Sequence, residues 1–140
     1  MRAGALVAAG IALAAVSCGG DGVIDLGTGP PPGVGPTLAA IQTSIFTPQC
    51  AFAGCHAGPG AQQGLDLSAG TTYAHTVGVA SVELITFDRV APGNAADSYL
   101  YMKIAGDPRI IGDRMPLGGT LTADQIDAVR AWIDAGARND

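Results

Sequence analysis

Glycine and proline occupy 21 and 9 of the 140 positions, and this density limits how long any regular element can run. Glycine costs backbone entropy inside a helix, and proline removes a donor. Short elements separated by loops are what such a chain can form. The breakers are concentrated in GGDGVIDLGTGPPPGVGP, residues 19–36, which shows neither a helical nor a strand period and has the composition of an extended tether. Ahead of it, MRAGALVAAGIALAAVS carries one Arg and an apolar run from Ala5 to Val16. As a helix that run spans about 18 Å, short of a bilayer core of roughly 30 Å, so residues 1–17 read as a signal peptide.

Ala15-Val16-Ser17-Cys18 resembles the lipobox of bacterial lipoproteins, in which small residues precede a cysteine that is lipidated. The resemblance implies lipidation at Cys18 and a lipid anchor to membrane. Gly19 after the cysteine implies an outer-membrane lipoprotein of the cell envelope, facing periplasm or exterior. With Arg2 in the export segment, six basic residues face twelve acidic ones, a balance of about −6. Attraction to nucleic acid loses its main driving force, and an acidic chain of this kind steers toward a basic docking face on a partner protein.

The head, residues 37–140, is about the size of one small domain. Leu38, Ile41 and Ile45 recur at i, i+3 and i+7, a short amphipathic helix that Pro48 is expected to end. Residues 54–70 read as loop, Thr71 to Val77 as one helical turn, and Val82 to Val90 as loop or short strand. Asp97 or Ser98 is placed to cap a helix bearing Leu100 and Ile104 that stops at Gly106. Thr122-Ala-Asp-Gln125 is a capping-box pattern, flanked by Leu121 and Ile126 as a hydrophobic staple. Ile126, Val129 and Ile133 then share a face with Trp132 beside them, and Gly136 follows as a left-handed cap. The expected fold class is all-α, short helices joined by loops. Only seven residues are aromatic, so large side chains for a core are few.

Cys50 and Cys55 lie together in CAFAGCH, with His56 next to the second thiol. In an exported chain a Cys-His pair with a second upstream Cys suggests covalent haem attachment. Two thiols add across the vinyl groups on one edge of a porphyrin, which leaves the adjacent imidazole beneath the ring within reach of iron. Four residues separate these thiols instead of the usual two, so the intervening residues must loop outward. The same run also fits a Cys50–Cys55 disulfide in an oxidising compartment. A zinc site adding His56 and His75 fits less well, since the neighbours Cys55 and His56 would have to fill two corners of one tetrahedron.

A six-coordinate haem iron needs a second axial ligand, and a Met thioether opposite His raises its potential. Met115 sits in RMPLGGTLT, displayed on a loop by Pro116 and Gly118-Gly119. Met102 falls within the Leu100–Ile104 helix, where packing is its default role. His75, in TTYAHT, reads as a surface or hydrogen-bonded residue. Arg114 is placed either to pair with a haem propionate or to be solvated, and Trp132 reads as core.

The order CAFAGCH, GLDLSAG, RVAPGNAADSYLYMKI and RMPLGGTLTADQIDAVRAWIDAGA resembles the small c-type cytochrome domains of planctomycete-type and related bacterial proteins. The likeness covers about residues 45–137. It implies a cytochrome c-like fold around one covalent haem c, with Cys50 and Cys55 as thioether sites, His56 as proximal and Met115 as distal iron ligand. The function it implies is that of a one-electron carrier. The alternative is a non-haem binding or spacer lipoprotein with a Cys50–Cys55 disulfide. No Ser-His-Asp arrangement, phosphate-cradling loop or paired carboxylates point to an independent catalyst.

Overall fold

The computed structural model describes residues 33–140. The signal segment, Cys18 and the tether up to residue 32 lie outside the described residues. The described part is built from helices and loops, as expected, with pairing of extended backbone limited to isolated bridges.

The first helix, α1, runs in three stretches: an α-turn Leu38–Ile41, a wider π-turn Gln42–Phe46 and a closing α-turn Thr47–Gln49. It therefore passes through Pro48, which was expected to stop it. The reason lies in the wide turn. Pro48 has no N–H to give the Ser44 carbonyl and its ring crowds that oxygen. The helix relaxes to i→i−5 bonding, with Thr47 N–H donating to Gln42 O, and Gln49 Nε2 donates to Ser44 O at 3.5 Å. At the other end, Thr37 Oγ1 accepts the Ala40 N–H. The N–H groups of Leu38 and Ala39 donate to Asp140, at Oδ1 and at the backbone oxygen respectively. Asp140 thus satisfies donors that the first helix leaves open.

Helix α2, Thr72–Thr76, is a single turn whose inward residues are threonines. Thr72 Oγ1 donates to Gln42 Oε1 at 2.6 Å, and Thr76 Oγ1 donates to Thr72 O at 2.7 Å, so neither buried hydroxyl is orphaned. The stretch after it is loop held by three bridges, Val77 with Val90, Ala80 with Asp88, and Asp88 with Ser98.

Helix α3 spans Tyr99–Ala105 and ends, as expected, at Gly106, which is left-handed (φ 77°). Ser98 precedes it but does not cap it through its side chain; its Oγ donates to Asn94 O at 2.8 Å. The first-turn donors go elsewhere: Tyr99 N–H to Asp88 O and Leu100 N–H to Arg89 O, both at 2.9 Å. Helix α4, Ala123–Asp134, shows the capping box in both directions between Thr122 and Gln125. It closes through Gly136 (φ 101°) and then Ala137 (φ 50°), a second left-handed residue that the sequence pattern does not announce.

Helix α4 packs against both α1 and α3. Ile41, Ile45 and Phe46 from α1, Leu100 and Ile104 from α3, and Val129, Trp132 and Ile133 from α4 join in one buried cluster. Trp132 is 1% exposed and donates its indole N–H to Arg138 O. A single buried indole and mostly aliphatic residues thus meet the shortage of aromatics. No helix among the described residues is long and apolar enough to cross a membrane.

This packing separates two kinds of contribution. Ile133→Ala, at a position with no exposure, is expected to cost about 2–5 kcal/mol, whereas Thr122→Ala removes one cap bond and is expected to cost about 1 kcal/mol. Urea denaturation of the two variants measures the difference.

Candidate functional site

The CAFAGCH run folds back on itself. Cys50 O accepts the Phe52 N–H at 2.9 Å and the His56 N–H at 3.2 Å, while Cys55 N–H donates to Phe52 O. Gly54, at φ 83°, supplies a left-handed turn that other residues rarely adopt. Residues 52–55 are exposed while Cys50 and His56 are partly buried, so this stretch bulges outward. The two cysteines are not joined to each other.

The next segment returns across His56. Gln62 N–H donates to Cys55 O at 2.7 Å, and Leu67 N–H donates to His56 O at 2.9 Å. His56 Nδ1 lies 3.2 Å from Leu65 O. A carbonyl only accepts, so Nδ1 carries the hydrogen and Nε2 of the neutral ring keeps its lone pair. Burial lowers the His56 pKa, an effect that the carbonyls of Leu65 and Gln62 partly oppose. Burial, with a smaller contribution from nearby Cys55, pushes the Cys50 thiol up to about 11.

Cys50, Cys55 and His56 line a cavity of about 500 Å3, and Met115 lines it too, from a segment some sixty residues further along. Much of the remaining wall is apolar and includes Phe46, Leu65, Leu67, Leu100 and Ile104. The Met115 loop is tied down by α3. Met115 N–H donates to Lys103 O at 2.9 Å, Lys103 Nζ donates to Ile111 O and Asp113 O, and Ile111 N–H donates to the Tyr99 hydroxyl. Glu83 completes the anchor: its Oε2 accepts the Tyr99 O–H at 2.7 Å and lies 3.0 Å from Lys103 Nζ. Burial alone would raise the Glu83 carboxyl, but the hydrogen bonds from Tyr99 and Lys103 outweigh it and hold the pKa below the ordinary value.

Other candidates fall outside this wall. Met102 is 1% exposed and Trp132 lies in the core; neither lines the cavity. His75 Nδ1 is hydrogen-bonded to Gly64 O, and His75 does not line the cavity. Among the described residues no group of three or more His, Cys, Asp or Glu side chains is placed to hold a metal ion. Arg114 donates its Nε–H to Ile104 O and is not part of the lining. The arginine that does line the cavity is Arg89, which the sequence pattern leaves without a role, as it does Glu83, Tyr99 and Lys103. The one available signal was an arginine between Asp88 and Val90 in a chain poor in basic residues.

Comparison with protein-family models, with characterised proteins and with solved structures gives no match.

Two measurements follow from the titrating groups. At pH 8 a thiol with its pKa near 11 is only about one part in a thousand thiolate, so iodoacetamide followed by peptide mapping is expected to label exposed Cys55 well before Cys50. For the ligand-free chain, the folded pKa of His56 lies below the unfolded value of about 6.5. The unfolded state therefore takes up the proton first. The His56 contribution to stability is intact above about pH 6.5, is lost as the pH falls, and stops changing once the folded imidazole has titrated. Denaturation midpoints of wild type and His56→Gln are expected to converge or cross as the pH drops through this window.

Proposed function

We propose that the chain is a single-haem c-type cytochrome of cytochrome c-like fold, carried on a lipoprotein and acting as a one-electron carrier. The observation that carries this reading is the convergence of Cys50, Cys55, His56 and Met115 on one cavity. Its size, about 500 Å3, lies within the range of about 300–1,000 Å3 typical of cofactor sites. The donor set fits the group. Cys50 and Cys55, two unpaired thiols, would suit thioether attachment, the neutral His56 imidazole would offer its Nε2 lone pair to iron, and the Met115 thioether would supply a second ligand. When bound, a haem supplies the one-electron iron couple.

The residues of the chain have distinct duties around it. Leu65 O fixes the His56 tautomer by accepting the Nδ1 hydrogen, the kind of outer contact that orients an imidazole ligand. Lys103, Tyr99 and Glu83 hold the Met115 loop against α3. Phe46, Leu65, Leu67, Leu100 and Ile104 present apolar surface against which the ring would pack. The acidic balance of the head favours a redox partner with a basic docking face, in an association that weakens with salt. Lipidation at Cys18 would hold the head at the outer membrane through the tether.

Intact mass of the chain exported with a cytochrome maturation system tests this. One added haem that survives denaturation is expected, with Cys55→Ser reducing attachment; a colourless product lighter by two hydrogens would contradict the reading and indicate the disulfide. Met115→Ala is expected to change the spin state and open the iron to added ligands, whereas Met102→Ala leaves both unchanged.

A further inference from the structure

Arg89 is only 8% exposed, yet it lines the cavity. Its Nη1 donates to His75 O at 2.7 Å and Gly64 O at 3.2 Å, and its Nη2 donates to Gln63 O at 2.6 Å. A guanidinium has five N–H donors, so two of them, Nε–H and one on Nη2, have no acceptor among the described residues. None of the ion pairs among those residues includes Arg89. The carboxylate that also lines the cavity, Glu83, is taken by Tyr99 and Lys103. The three carbonyls supply dipoles and leave the full positive charge uncompensated. A buried cation without a counter-charge is costly, and arginine does not escape the cost by losing its proton. The planar fork of N–H groups on a guanidinium matches a carboxylate.

We infer that Arg89 is a carboxylate subsite: the cavity takes an apolar ligand that bears an acid group, and the guanidinium receives that group through the Nε–H and Nη2–H that the carbonyls of Gln63, Gly64 and His75 leave free. This rests on the cavity being a ligand site, and it deepens the haem reading, under which the acid is a haem propionate. The head of a fatty acid offers the same chemistry from a second source. The subsite also adjoins the imidazole, because the carbonyls of Gln63 and Gly64 that hold Arg89 immediately precede Leu65, whose carbonyl accepts from His56.

The test uses the full chain without haem and two acid–ester pairs followed by calorimetry. One pair is metal-free protoporphyrin IX and its dimethyl ester; the other is oleate and methyl oleate. With no iron present, His56 and Met115 contribute no ligation, so the difference within a pair isolates the acid group. At least about tenfold tighter binding of the acid is expected in one pair, the ratio of a charge-assisted hydrogen bond. Arg89→Gln is expected to abolish that preference and Arg89→Lys to keep part of it. A preference confined to oleate upholds the subsite and counts against the haem reading. Equal binding of acid and ester in both pairs by wild type, or no binding of either acid, overturns the subsite, whatever mass the matured chain shows. Because the acid–ester comparison is made on wild type, it stands even where Arg89→Gln fails to fold.

Discussion

Three backbone carbonyls, from Gln63, Gly64 and His75, converge on one buried guanidinium, and the wall of the cavity depends on that convergence. The stretch between Cys55 and α2 has almost no regular structure of its own. Arg89 ties the turn at 63–64 to the last turn of α2. The turn leads directly into Leu65, whose carbonyl holds the His56 ring. Arg89 is itself fixed through its backbone, donating to Val79 O and accepting from Leu100 N–H. Through its side chain and its backbone together, this one residue links the turn at 63–64, α2 and the start of α3. The exposed ion pairs, such as Arg130 with Asp127 and Arg138 with Asp140, are screened by water and contribute little by comparison.

The helical core and the cavity share residues. Phe46, Leu67, Leu100 and Ile104 belong to the buried cluster and also line the cavity. Helix α1 delivers Cys50 at its end, α3 carries the anchors of the Met115 loop, and α4 packs against both helices from the far side. The separation of the cavity donors is therefore set by helix packing, although every donor sits on a loop or at a helix end. Loops positioned on a packed scaffold are a common home for functional groups.

Much of this was legible in the sequence, and what was legible was local. Helix α4 carries its own signals within fifteen residues, from the Thr122–Gln125 box to Gly136, and the structure reproduces them. Met115 stood out because Pro116 and the paired glycines display it on a loop. The passage of α1 through Pro48 was not legible, since it depends on a widened turn and on the Gln49 side chain meeting Ser44 O. Nor was the role of Arg89, whose partners lie 14 to 26 positions away and are all backbone atoms. Carbonyl acceptors leave no mark in residue identity. The Glu83–Tyr99–Lys103 anchor escaped for a related reason, because Glu83 reaches α3 from a loop without regular periodicity.

The claim on which the rest turns is that an imidazole and a thioether from two distant segments grip one iron inside this cavity. X-ray absorption at the iron edge of the matured chain tests it most directly. A sulfur scatterer in the first coordination shell alongside nitrogen, absent in Met115→Ala, is the predicted result. Matured protein that carries no iron, or iron with nitrogen neighbours alone, would contradict the account.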